Sequence, residues 1–460
     1  MHQSLAFDPE LIKKYDRVGP RYTSYPTAVQ FQESFNNADY QQAIARSNQS
    51  DRLLSLYAHI PFCNTACFYC ACNKIPTRDR SRAAPYLERI YREMAMQSQL
   101  FDRSRVVDQL HLGGGTPTFI SNDEMKQLME QFRTHFNLRD DDEGEYSIEI
   151  DPREADAGTV KLLRELGFNR MSLGVQDFDP AVQKAVNRIQ SKAETFEVMQ
   201  AARDTGFKSI NVDLIYGLPL QNEASFIRTV DQVLEASPDR VTVFNYAHLP
   251  SMFPAQKRMN EADMPSGDTK LRMLAMTIEH LQAAGYVYIG MDHFAKPDDE
   301  LTLAQRQGQL YRNFQGYSTH ADCDLVALGA TSISMVDNVY AQNLRGLEDY
   351  TARIDANELA IFRGVTLTRD DEIRRAIIMR LMCDFALDFV EFGKAWGIDG
   401  MAYFALEREL LTEFVADGLL IMQGSRLEVQ PVGRMMVRTM AMLFDVYNRE
   451  KATGKFSKII

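Results

Sequence analysis

The sequence predicts an α/β protein: an incomplete (β/α)6 barrel carrying an N-terminal arm and a small, mostly helical, winged-helix-like C-terminal domain. Three observations carry the prediction. β-like apolar runs alternate with periodic polar/apolar segments through the first half of the chain, residues with chemical potential recur at the ends of those runs, and the last hundred or so residues switch to helices followed by a short hairpin.

The β-like runs are residues 53–60, 107–113, 146–150, 170–175, 209–216 and 240–246. Strands separated by helical segments form parallel sheets with right-handed crossovers. Six such units, with no clear seventh or eighth, predict a barrel that does not close. Ser121 followed by Glu124 has the spacing of a capping box, in which the two side chains satisfy each other's backbone donors, and predicts a helix start. Toward the C-terminus, helical runs at 371–383 and 401–416 precede β-like runs at 419–422 and 426–429 and a helix from Val432 onward. The expected segments are therefore an arm and linker at 1–50, a catalytic domain at 51–360 and a cover domain at 361–460.

Composition narrows the function classes. A chain of 460 residues with 45% hydrophobic content can bury a large core. A net charge of -12 disfavours a general binder of nucleic acid or of an anionic membrane, so an anionic ligand would need a local basic pocket. The winged-helix-like order invites a DNA-binding reading, but residues 371–460 have nearly balanced charges and no concentrated basic helix. There is no run of eighteen apolar residues, and the N-terminus lacks a basic region followed by an apolar core. These features predict a cytoplasmic protein with reduced thiols, without nucleic-acid or membrane partners.

Four of the six cysteines, Cys63, Cys67, Cys70 and Cys72, fall within ten residues directly after the first strand. Thiolates at C-x-x-x-C-x-x-C spacing can hold three corners of an iron–sulfur cubane and leave one iron open to a reactant. Zinc could use all four thiols, but loops of three, two and one residues are cramped for tetrahedral coordination, and no histidine pair follows. Cys323 and Cys383 stand alone and read as ordinary buried thiols. Gly113, Gly114, Gly115, Thr116 and Pro117 follow the second strand, Glu149 and Asp151 end the third, and Gln176 follows the fourth. Asp213 lies near the end of the fifth, and Asn245 to His248 end the sixth. Any one of these could be a turn or a helix cap, but six in succession on the C-terminal face of a barrel predict a site.

With these motifs the chain resembles the radical S-adenosylmethionine (SAM) enzymes. Tyr57-Ala58-His59-Ile60-Pro61-Phe62-Cys63, the additional Cys72, His111-Leu112-Gly113-Gly114-Gly115-Thr116-Pro117-Thr118 and Asp213-Leu214-Ile215-Tyr216-Gly217-Leu218-Pro219 narrow the resemblance to the oxygen-independent coproporphyrinogen III oxidase family. So does the segment Tyr15 to Thr27, which resembles an arm that shorter haem-chaperone relatives lack, and so do Asp292 to Asp299 and Arg312 to Tyr317 beyond the barrel. The resemblance implies a [4Fe-4S] cluster on Cys63, Cys67 and Cys70, with Cys72 outside the iron shell, and two SAM molecules in one site. It implies cofactor contacts at Tyr57, Tyr69, Gly114, Gly115, Thr116, Glu149, Gln176, Arg188, Asp213, Ala247 and Ile333, although Arg188 alone could equally be a surface ion pair. The implied reaction uses a 5′-deoxyadenosyl radical to abstract hydrogen from two propionates of coproporphyrinogen III, which become vinyls, giving protoporphyrinogen IX. It requires an electron donor for the cluster and an electron acceptor, neither identified by the sequence. For the four substrate carboxylates, Arg17, Arg21, Lys296 and Arg312 are the expected sources of positive charge, on a monomer whose appended arm closes over the substrate. A haem-binding chaperone, or an enzyme acting on another tetrapyrrole, is the alternative.

Overall fold

The structure is a computed structural model that describes residues 5–321 and 323–450; the extreme ends of the expected arm and cover domain lie outside the described residues. Two compact units are present. One comprises Phe31–Pro265 and the described residues of Asp322–Thr366, and the other the described residues of Met1–Gln30, Ser266–Ala321 and Leu367–Ile460. Both are discontinuous in sequence, unlike the contiguous segments expected at 1–50, 51–360 and 361–460. The difference arises because residues 266–321, which follow the sixth strand, join the second unit instead of continuing the barrel.

In the barrel unit, β1 (Leu54–Ile60), β2 (Val106–Gly114), β3 (Glu145–Ile150), β4 (Arg170–Gln176), β5 (Ser209–Tyr216) and β6 (Arg240–Asn245) lie side by side in chain order, every neighbouring pair parallel. All six predicted strands are present. β1 is buried along almost its whole length, as expected of a parallel strand covered on both faces, so that even its polar Ser55 and His59 are buried. The intervening helices start where the sequence supplies caps: Ser121 and Glu124 form the expected capping box, and Ser191 with Glu194 forms another.

One strand escaped the sequence reading. Asp324–Leu328 (β7) pairs in parallel with the other edge of β1, with Leu54 opposite Asp324, and so adds a parallel strand beyond the expected six. The sheet then turns antiparallel through β8 (Ile333–Val336), β9 (Val339–Asn343) and β10 (Ile361–Thr366). β7 was missed because it is short and follows an insertion that interrupts the βα rhythm. Buried polar groups fix it at both ends. Asp324 accepts from Arg105 Nη2 at 2.6 Å, and Glu93 accepts from the Gly329 amide at 2.7 Å and from the Tyr350 hydroxyl at 2.6 Å.

The second unit contains the helix Gly267–Ala283 and two small hairpins, Val287–Gly290 with His293–Ala295 and Tyr311–Asn313 with Gly316–Ser318. The helix Arg369–Asp384 leads into a three-stranded sheet of Ala386–Asp388, Arg426–Val429 and Leu420–Gln423. This keeps the winged-helix order. The strand Ala386–Asp388 and the helix Phe389–Trp396 were not anticipated, and the expected helix 401–416 is broken into Gly400–Tyr403, Ala405–Leu410 and Thr412–Ala416. After Val432 the chain forms a 3-10 turn, Pro431–Met436, before the α-helix Val437–Ala441.

The N-terminal segment is no mere appendage. Tyr15 stacks on Phe414 at 4.5 Å and donates to Asp417 at 2.6 Å, Tyr22 donates to Asp445 at 3.0 Å, and Arg438 donates to the Gly19 carbonyl at 2.9 Å. The side chains of Tyr15, Tyr22 and Tyr25 are fully buried in the core of this unit. Among the described residues no helix is long and apolar enough to cross a membrane.

Candidate active site

The cysteine loop leaves the end of β1 and returns beside its own start. Phe62 and Cys63 pair in parallel with Ile75 and Pro76, and the Thr77 amide donates to the Cys63 carbonyl at 2.8 Å. The residues between form a closed loop. Two tethers fix its far side to the turn after β4: the Phe68 amide donates to the Val186 carbonyl at 3.0 Å, and the Asn187 side chain donates to the Ala66 carbonyl at 2.9 Å. Loop residues separated widely in sequence from β4 are thereby held at one place on the barrel.

Each of the first two sulfurs faces hydrogen-bond donors. Thr116 Oγ1 donates to Cys63 Sγ at 3.6 Å, while Arg188 Nη1 and Arg153 Nη2 approach Cys67 Sγ at 3.6 and 3.8 Å. Asp151 holds both guanidiniums, accepting from Arg188 at 3.0 Å and from Arg153 at 2.6 Å. Arg188 is buried, so it is not the surface ion pair that was the alternative for it, and its other nitrogen donates to the Gly174 carbonyl. Burial pushes the Cys63 thiol up to about 11, whereas the hydrogen bond from Cys72 brings Cys70 down. Lys74 donates to the Cys70 carbonyl at 2.8 Å, which adds positive charge beside the third position. Cys72 is thus a neighbour of Cys70 and more exposed than the other three. Among the described residues no three His, Cys, Asp or Glu side chains gather on a single metal ion. Donors aimed at thiolate sulfur suit an iron–sulfur cluster, whose anionic charge they offset.

The glycine turn after β2 packs directly under this loop. Gly115 donates to the Ile60 carbonyl at 2.8 Å, and a Cβ there would meet the Phe62 and Pro61 carbonyl oxygens at 2.7 Å each. Gly114 has φ 120°, outside the range that L side chains favour, and its amide donates to Glu149 at 3.1 Å. Glu149 also lies 3.5 Å from His111. Burial works against its charge, yet these contacts hold its carboxyl below the usual value. Tyr57 stacks on His111 at 5.8 Å and its hydroxyl meets His59 Nδ1 at 3.0 Å.

Across the strand ends, Asp213 accepts from Ser172 at 2.9 Å and Asn211 at 2.8 Å, and burial raises its carboxyl to about 6. Gln176 lies in a β4 bulge with φ 71°, an unusual conformation for a side chain of this kind, and its buried Oε1 has no partner. The Asn245 Oδ1 is likewise buried without a partner. These are acceptors that an ammonium or hydroxyl group would satisfy. Gln256 joins two more expected positions, donating to the carbonyls of Tyr69 at 3.1 Å and Ala247 at 3.2 Å. Ile333 opens β8, two strands from β1 in the direction away from β4 to β6.

Sequence reasoning missed Arg153, Ser172, Asn211 and Gln256. Arg153 had a visible signal, because it follows Asp151 at the end of a strand; Gln256 lies in a 3-10 turn with nothing in the sequence to distinguish it. In the second unit, Arg17 is exposed, Lys296 is half-buried, Arg21 pairs with Asp292, and Arg312 is buried with its Nε donating to the Arg21 carbonyl at 3.2 Å.

The Radical SAM superfamily matches residues 57–233, and the HemN C-terminal domain matches residues 367–436. The chain is 53% identical over 460 residues to an oxygen-independent coproporphyrinogen III oxidase of Pseudomonas aeruginosa, with 100% of both chains covered. It is 48% identical over 459 residues to the protein of that name from Salmonella typhimurium, covering 100% of this chain and 99% of the relative. Among solved structures, coproporphyrinogen III oxidase (HemN) from Escherichia coli, a radical SAM enzyme, matches with a TM-score of 0.92 and 45% identity over 97% of this chain and 100% of the other.

Proposed function

Because the chain belongs to the oxygen-independent coproporphyrinogen III oxidase family of radical SAM enzymes, we propose how its residues divide the work of that reaction. The protein is an oxidoreductase that converts coproporphyrinogen III to protoporphyrinogen IX by oxidative decarboxylation. Family membership brings with it an iron–sulfur cluster and SAM, and the donor set around the cysteine loop fits them. When bound, the cluster and SAM supply the one-electron chemistry and hydrogen abstraction that no side chain can supply.

Cys63, Cys67 and Cys70 hold the cluster in this reading, with Thr116, Arg153 and Arg188 donating to sulfur and offsetting its charge. Cys72 stays outside the iron shell. Gly114 and Gly115 let the turn pack against His59 and the Pro61–Phe62 backbone at the root of the cysteine loop, and Glu149, Gln176 and Asp213 offer acceptors to an ammonium or to ribose hydroxyls. Tyr57, Tyr69, Ala247 and Ile333 complete the contacts, which are to serve two SAM molecules. All of these residues lie in the barrel unit. The protein works as a cytoplasmic monomer with a separate electron donor and acceptor, and takes neither nucleic acid nor membrane as a partner.

The observation that carries the reading is the pair of guanidiniums at Cys67 beside a hydroxyl at Cys63, donors placed to offset the negative charge of a thiolate-held cluster. The test is anaerobic incubation of the reconstituted protein with SAM, reductant and coproporphyrinogen III. Vinyl porphyrinogen should form, preceded by a mono-vinyl tricarboxylate, with about two SAM consumed per product because each propionate needs one abstraction. Tight haem binding with no vinyl product would favour a haem carrier instead.

A further inference from the structure

Three other buried guanidiniums in this chain come with carboxylates. Arg105 donates to Asp324 at 2.6 Å, Arg188 to Asp151 at 3.0 Å and Arg374 to Glu407 at 2.8 Å. That is the arrangement expected of a charge removed from water, since an uncompensated one forfeits its solvation. Arg312 departs from it. It is 3% exposed, its Nε is satisfied only by the neutral carbonyl of Arg21, and its Nη1 has no partner. Arg21 does not bring a spare negative charge, because Asp292 is already paired with its own guanidinium.

The sequence builds this position with some care. Arg312 lies in the short hairpin of Tyr311–Asn313 and Gly316–Ser318, directly opposite Tyr317, so the two side chains share one face. The guanidinium lies over the Tyr317 ring at 4.8 Å, which stabilises its charge from one face. Tyr317 is itself immobilised: its hydroxyl donates to the Met382 carbonyl at 3.0 Å, His293 meets its ring edge-on at 5.1 Å, and Gly290 leaves room for the hydroxyl where any Cβ would collide with it. At the tip of the same hairpin Gln315 carries a buried Nε2 without a partner. Arg434, in the same unit, lies over the Phe385 ring at 5.1 Å with its Nε unpartnered. The unpartnered atoms of these three side chains are all donors. A cation could use none of them, whereas a carboxylate oxygen could accept from Arg312 Nη1 or from the Gln315 amide.

We propose that Arg312, on this hairpin, is a substrate carboxylate-binding residue: it takes a peripheral carboxylate of the tetrapyrrole through its unpartnered Nη1, with Gln315 as a second donor. The proposal rests on the oxidase reading for the identity of the carboxylate. Of the four basic residues expected from sequence, it selects one. Arg17 is exposed, where a charge is already hydrated and screened, Lys296 is half-buried, and Arg21 is engaged with Asp292.

The test uses the reconstituted full-length holoprotein and two probes, coproporphyrin III, which carries the four carboxylates but is already fully oxidised, and its neutral tetraamide. Binding is followed by quenching of porphyrin fluorescence. Arg312→Gln should weaken binding of the acid by about tenfold or more, as loss of one member of a buried charge pair does. Affinity for the tetraamide should stay the same, and Arg312→Lys should fall between wild type and Arg312→Gln. Should Arg312→Gln not fold, Arg312→Lys carries the test through the same acid-to-amide ratio, with iron content as the check on integrity. An unchanged ratio, or equal loss for both probes, overturns the carboxylate role. Turnover of coproporphyrinogen III by wild type in the same preparation separates the two readings: vinyl product with an unchanged ratio in the variants overturns this site alone, and no vinyl product from wild type overturns the oxidase reading and this inference with it.

Discussion

Arg188 bridges Cys67 and Asp151, with Nη1 3.6 Å from the sulfur and 3.0 Å from the carboxylate. Sulfur and carboxylate compete for one buried cation, so the charge on the cysteine loop and the anchoring of the β3 end are coupled. Arg188→Met leaves Asp151 to Arg153 alone and should lower stability by about 3 kcal/mol, as breaking a buried pair does. It should also make the reconstituted cluster harder to reduce, because a positive charge has left its sulfur. Potentiometric titration followed by electron paramagnetic resonance measures this. A potential identical to wild type would separate Arg188 from the cluster, and Arg188→Lys should restore part of any shift.

Serine at Cys63, Cys67 or Cys70 should abolish the roughly four irons and four sulfides expected per chain for a cubane. Serine at the buried Cys323 or Cys383 should leave iron and sulfide in place. Chemical analysis after anaerobic reconstitution distinguishes the two groups, and equal loss from all five substitutions would exclude a specific ligand triad.

Gly115 should tolerate no side chain. An alanine Cβ would lie 2.7 Å from the Phe62 and Pro61 carbonyls, and both are backbone at the root of the cysteine loop. Neither can swing aside as a side-chain tip could. Gly115→Ala should therefore lose cluster content and the spectral response to SAM together, whereas alanine at Gly206, where the new Cβ meets nothing within 4 Å, should cost only the strain of a left-handed residue, about 1 kcal/mol. Full cluster occupancy in Gly115→Ala would show that the turn can move.

Much of the barrel was legible because its parallel strands carry regularly placed buried apolar residues and several of its helices begin with a side-chain cap, as at Ser121 and Ser191. The cysteines, glycines and strand-end carboxylates of the site follow the same grammar. β7 was not legible, because its pairing with β1 depends on a long insertion returning the chain to the far edge of the sheet. Arg153 and Gln256 escaped for a related reason: each acts through a contact with a residue far away in sequence, Cys67 for one and Tyr69 for the other. The role of the arm in its unit was hidden similarly, since the partners of Tyr15 and Tyr22 are Asp417 and Asp445.

The Asp213 carboxyl gives a pH dependence with a defined sign. Burial raises it to about 6, above its value in the unfolded chain, so the folded protein binds this proton more tightly. Its contribution to stability is complete below about pH 4 and is lost as pH rises through about 6. Asp213→Asn cannot ionise and should gain on wild type over that window, by about 2 kcal/mol at neutral pH, seen as a difference in melting temperature that grows from pH 4 to 7. The same variant should weaken the spectral response of the reduced cluster to SAM while keeping its iron. A melting difference independent of pH would mean that Asp213 titrates normally.

Removing residues 1–28 should unfold more than an arm. Tyr15, Tyr22 and Tyr25 fill the core of the second unit, and loss of a buried aromatic side chain typically costs about 3 to 5 kcal/mol, so the deletion removes more than this unit can be expected to spare. It also strips Asp445 of the Tyr22 hydroxyl and Arg438 of the Gly19 carbonyl, leaving two buried polar groups short of a partner. The parallel sheet of the barrel unit contains no strand from this segment. Calorimetry of the truncated protein should therefore show a transition shifted to much lower temperature or missing, while cluster content, which depends on the barrel unit, survives and turnover is lost. A melting profile like that of the full chain would mean that the tyrosines are dispensable to the unit they fill. Simultaneous loss of the cluster would mean that the barrel unit depends on residues outside its own sheet.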